Sequence, residues 1–78
     1  MQDKYNFDKR VEHGMFEIQV DSAAQYGYFE HEHYGDDCGG GLWFQDNALI
    51  DYDGVAALPM AVVTGLRGMG FTVADEFI

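Results

Sequence analysis

Positive charge is scarce in this sequence. Only 4 of its 78 residues are Lys or Arg, against 14 Asp and Glu, so the formal net charge is −10. A chain this short of cations lacks the basic surface that DNA, RNA or an anionic membrane would require, which argues against all three as direct ligands. Cysteine occurs once, at Cys38. One thiol cannot close an internal disulfide, so a secreted disulfide scaffold is excluded and a reducing, cytoplasmic compartment is expected. Proline also occurs once, at Pro59, inside the most apolar stretch, Val55 to Val63. That stretch is far short of the ~18 apolar residues of a membrane span. The first 14 residues contain Asp3, Lys4, Asp8, Lys9, Arg10 and Glu12, and no apolar segment of the signal-peptide kind. A chain of this length holds one domain, so a cleft between two lobes is out of reach.

What the sequence has is aromatic and acidic. Hydrophobic residues make up 47% and aromatics 15%, too much of both for a disordered acidic chain. The charge is segregated. Residues 1–10 hold three bases and two acids, whereas residues 11–78 hold one base, Arg67, and 12 acids. Ordinary soluble surfaces interleave both signs. A nearly uncompensated body of −11 points to a role for the field itself.

The patterning predicts an arm and one domain. Residues 1–14 are polar with isolated apolar positions and are expected to form a loosely ordered N-terminal arm, with the domain over 15–78. Met15 to Asp21 alternates, with Phe16, Ile18 and Val20 on one side and Glu17 and Gln19 on the other, which is a half-buried strand. Asp21 to Ala24 is the expected turn. Gln25 to Tyr34 is a second β-prone segment whose facing stays open: Tyr26, Tyr28, Glu30 and Glu32 share one side, and Gly27, Phe29, His31 and His33 the other. Gly35 to Gly41 is expected to be a loop. Leu42 to Gln45 and Ala48 to Tyr52 are expected to be short strands joined by a tight turn at Asp46-Asn47, with a further turn at Asp53-Gly54. Pro59 to Met69 predicts the one helix, proline at its first position and Val62, Val63, Leu66 and Met69 on one stripe. Gly70 suits its left-handed cap. Phe71 to Phe77 is expected as a last strand. The order is β-β-β-β-α-β: an α+β two-layer sandwich with a mostly antiparallel sheet of four to five strands. One short helix covers only one face of such a sheet, so the other face must be wet or meet a partner.

Chemical motifs are weak. His31, His33 and Cys38 together suggest a metal-binding regulator, but the spacing matches no structural zinc site. Asp51-Tyr52-Asp53-Gly54 has glycine at the wrong position for a calcium loop. Cys38 beside a histidine would make a nucleophile on paper, yet acidic surroundings raise a thiol's pKa and oppose the thiolate. Gly39-Gly40-Gly41 is followed by Leu42 and Trp43, not by the lysine of a phosphate loop. No catalytic residues, cofactor or metal are therefore assigned, and the chain is not expected to be an enzyme.

The aromatics interleaved with acids remain. Tyr and Trp anchor protein interfaces because they bury much area with few rotors. The candidate partner-binding set is Glu17, Tyr28, Glu30, Glu32, Asp36, Asp37, Asp46, Asp51 and Asp53. Carboxylates on a rigid β scaffold can fill the Arg and Lys sites that DNA phosphates would otherwise take. In size, charge and small α+β build the chain resembles the acidic anti-CRISPR proteins encoded by phages and mobile elements, of the DNA-mimic kind. The resemblance implies a Cas subunit of a type I surveillance complex as partner and blocked target-DNA or PAM recognition as outcome, and it transfers no functional residue. The alternative is a small structural or accessory protein, a homodimer through its open sheet face.

Overall fold

A computed structural model describes residues 5–54 and 57–78. Five strands form one antiparallel sheet in chain order: β1 (Lys9–His13), β2 (Phe16–Asp21), β3 (Tyr26–His31), β4 (Gly35–Gln45) and β5 (Ala48–Gly54). One helix, α1 (Met60–Gly68), and a 3-10 turn over Asp75–Phe77 complete the α+β architecture. The fold class agrees with the patterning, and several boundaries do not.

Residues 9–13 do not belong to a loose arm. They form β1, paired with β2 from Lys9↔Val20 to His13↔Phe16. Ahead of them, the Asn6 N–H donates to Asp21 Oδ2 at 2.8 Å, and the Ser22 N–H donates to Asp8 Oδ1 at 2.8 Å. Asp21 is buried and also accepts the Ala24 N–H at 3.0 Å, so one carboxylate closes the β2–β3 turn and holds the segment before β1. Residues 1–4 lie outside the described residues.

The facing of β3 is resolved by packing. Gly27 and Phe29 point to the core, and Tyr26, Tyr28 and Glu30 point away. Gly35 to Gly41 is strand rather than loop. Glycine here serves close approach: a Cβ on Gly40 would lie 2.7 Å from the Tyr52 ring, and one on Gly41 would lie 2.9 Å from the ring of Trp43. The expected turn at Asp53-Gly54 is likewise the end of β5, where Gly54 pairs with Gly40. The turn at Asp46-Asn47 is as expected. Both residues have positive φ, 54° and 65°, as a two-residue hairpin of the right twist requires.

The helix starts one residue later than expected. Pro59 has ψ 144°, so it caps α1 from an extended conformation, and its carbonyl accepts the N–H groups of Val62 and Val63. The end follows a Schellman pattern. Gly70, at φ 102°, donates to the Arg67 carbonyl, and the Phe71 N–H donates to that of Leu66. α1 packs across β1 and β2. Ile18, Val20, Phe29, Leu42, Phe44 and Leu49 of the sheet meet Leu58, Val62, Val63, Leu66, Phe71 and Val73 in one core.

Phe71 to Phe77 is not a strand. Among the described residues its one ladder contact is a parallel bridge from Thr72 to Ala48, after which it turns into the 3-10 segment. Thr72 bonds β5 through both backbone groups, its N–H to the Asn47 carbonyl and its carbonyl to the Leu49 N–H, and beyond it the acceptors go elsewhere, that of Ala74 to the Phe77 N–H. Arg67 Nη2 also takes the Val73 carbonyl, at 2.7 Å. Phe71 and Val73 are buried all the same, Phe71 stacked on Phe44 at 4.3 Å between ring centroids.

Candidate functional site

The sheet face away from α1 gathers the acids and aromatics. Alternation around buried Ile18, Phe29, Leu42 and Phe44 turns Glu17, Gln19, Tyr26, Tyr28, Glu30, Gly41 and Trp43 outward. Their ladder partners share that face. Glu12 pairs with Glu17 and Glu17 with Glu30, so three glutamates form one row across β1, β2 and β3. Asp53 pairs with Gly41 and Asp51 with Trp43, which puts two more carboxylates on the same face along β5. Directly opposed side chains on a sheet stand about 5 Å apart, and like charges there destabilise the pair. Among the described residues Arg10, bridged to Glu17, is the cation recorded in an ion pair with this row.

Between these two acidic margins lies an aromatic platform. Tyr26 meets Trp43 at 5.4 Å between ring centroids. Tyr5 stacks on Tyr26 at 4.8 Å, and Phe7 meets the Tyr28 ring edge-on at 5.3 Å. Gln19 Nε2 donates to the Tyr28 hydroxyl at 2.9 Å, which fixes that ring. Burial, then the neighbouring Tyr5 and the charge of Asp53, raise the Tyr26 hydroxyl's pKa above the usual tyrosine value. An open groove of about 250 Å³ borders the two tyrosines and runs over Gly39, Gly40 and Gly41.

Of the residues expected to bind a partner, Glu17, Tyr28, Glu30, Asp51 and Asp53 fall together on this face. Glu32 sits exposed in the turn after β3, and Asp37 is exposed near the start of β4. Asp36 belongs to β4, and its side chain lies outside the described residues. Asp46 occupies the β4–β5 hairpin at the other end of the sheet, so it does not join the group at Glu32 and Asp37. Sequence reasoning missed Glu12, Tyr5, Phe7 and the place of Trp43. The alternation of Lys9 to His13 was the available signal for Glu12, but with Val11 as its lone aliphatic residue it was too thin to mark a strand.

The other candidate constellation does not assemble. His31 Nδ1 accepts the N–H groups of His33 and Tyr34, at 3.0 and 3.3 Å, and so closes the β3–β4 turn. Cys38 is exposed on β4. Among the described residues no three His, Cys, Asp or Glu side chains are grouped as a metal would need. Nor is any described helix long and apolar enough to cross a membrane. No family model matches the chain, and neither a curated protein nor a solved structure matches it.

Proposed function

We propose that the protein is an acidic inhibitor that imitates nucleic acid and occupies the basic DNA-binding surface of a partner protein. The observation that carries this reading is the register row Glu12–Glu17–Glu30 together with Asp51 and Asp53 on one sheet face. Opposed carboxylates cost the free domain stability. A partner rich in Arg and Lys would remove that cost on binding, as counter-charges do along a phosphate backbone. The task needs no catalytic residue and no cofactor. Resemblance in size, charge and build to DNA-mimicking anti-CRISPR proteins supports a Cas subunit of a type I complex as that partner, blocked target-DNA recognition as the effect, and the bacterial cytoplasm as the site of action. A face-to-face homodimer through the same surface is disfavoured, because it would oppose acid to acid.

Competition with target DNA for a purified type I surveillance complex tests the reading. Reversing Glu17, Glu30, Asp51 and Asp53 together to Lys should abolish competition. Reversing Asp75 and Glu76, which lie in the 3-10 turn outside the sheet, should leave it intact. Equal competition by both variants and the parent would sink the proposal. Affinity for the partner should also fall steeply with salt, since screening shortens to about 3 Å at 1 M.

A further inference from the structure

The groove beside Tyr26 and Tyr28 has a chemistry of its own. Its walls include two tyrosine rings, and its floor is the backbone of Gly39, Gly40 and Gly41. The cross-strand partner of Gly41 is Asp53, exposed on the same face. Asp53 is near enough to Tyr26 for its charge to act on the phenol. Ring faces carry negative quadrupole charge, and Asp53 sits one strand away across the ladder from the groove's Gly41, so the groove suits a long side chain that ends in a cation. An anionic ligand is opposed by the whole field of the domain.

Resting on the reading above, we infer that this groove takes an arginine side chain of the basic partner, its guanidinium stacked against Tyr28 and paired with the Asp53 carboxylate. Arginine fits better than lysine for two physical reasons. Its planar head lies flat on an aromatic ring, and its paired N–H groups match both oxygens of a carboxylate. A lysine ammonium is a compact, strongly hydrated point charge that gains less from either wall. The ring is also well supported for the purpose. Phe7 packs against Tyr28, and Gln19 holds its hydroxyl, so little side-chain freedom is left to lose on binding. The acidic rows attract a basic surface as a whole, whereas the groove tells one basic side chain from another.

Two peptides of equal charge separate these effects: nona-arginine and nona-lysine, titrated into the full chain while the fluorescence of its single tryptophan, Trp43, is followed. Nona-arginine should bind about fivefold more tightly. Tyr28→Ala should erase that preference while keeping charge-driven binding of both peptides, and Tyr28→Phe should restore it. Asp53→Asn, at an exposed position that endangers no packing, should at least halve the preference, and it serves as the test should Tyr28→Ala fail to fold. Equal affinity of the two peptides, or a preference unchanged in Asp53→Asn and Tyr28→Ala, overturns the groove assignment alone. Absence of binding by either peptide overturns the acidic-mimic reading and the groove with it.

Discussion

Single carboxylates do different work in this protein according to what faces them. Asp8 accepts the Ser22 N–H, and that bond, helped by the Ser22 hydroxyl and by Lys9, holds its pKa below the ordinary aspartate value of 3.8. A carboxylate depressed in the folded state stabilises above its unfolded pKa, and the contribution disappears as pH falls through the folded pKa. Asp8→Asn is therefore expected to lower the melting temperature near neutrality, with the gap to the parent closing as pH falls below the ordinary aspartate value of 3.8. Thermal melts across that range check it, and a gap independent of pH would refute it. Glu30 is the opposite case. It faces Glu17 across the ladder, and among the described residues no ion pair is formed by it. Glu30→Gln should stabilise the free domain by about 0.5 kcal/mol in low salt and lose that gain as salt rises, while weakening partner binding. Urea unfolding at two ionic strengths measures it. The sequence made such residues visible as acids but not their partners, because a register that sets Glu17 against Glu30 depends on the length of the β2–β3 turn, which had to be known first.

Strand and helix patterns were legible where burial imposed a period. The Met15 to Asp21 alternation and the Val62, Val63, Leu66 stripe both correspond to buried faces. They failed where a backbone need overrode composition. Glycines that looked like loop are strand residues because Tyr52 and Trp43 lie against them. A β-prone tail leaves the ladder after Thr72, where Arg67 donates to the Val73 carbonyl and the Phe77 N–H to that of Ala74. The two helix glycines show the same distinction within one element. A Cβ on Gly65 would lie 2.6 Å from Ile18 Cδ1 in a fully buried contact, whereas a Cβ on Gly68 meets nothing within 4 Å. Gly68→Ala should therefore stabilise by up to about 1 kcal/mol from helix propensity. Gly65→Ala should instead destabilise by about 1 kcal/mol, because crowding of the core outweighs the same propensity gain. Chemical denaturation of the two variants decides it; equal effects would mean that Gly65 is not a spacer.

For the molecule as a whole, net charge and open-faced architecture act together. One short helix and the C-terminal segment cover the inner face, and the outer face is left to carboxylates and rings. That division was legible from the count of elements alone. The arm's part was not: Tyr5 and Phe7 lie on the outer platform because buried Asp21 holds the Asn6 backbone, a contact 15 residues apart in sequence.

Strand order in this sheet is chain order, so every strand pairs with its immediate neighbour in sequence. Each ladder then closes only a short loop, and short loops lose little entropy on closing. Predominantly local pairing puts the sheet toward the fast end of β-protein folding. Here speed has a particular value. A chain carrying this much like charge is expanded and weakly cohesive until its core forms, and a meander lets hairpins accumulate one at a time before the distant tail must find Ala48.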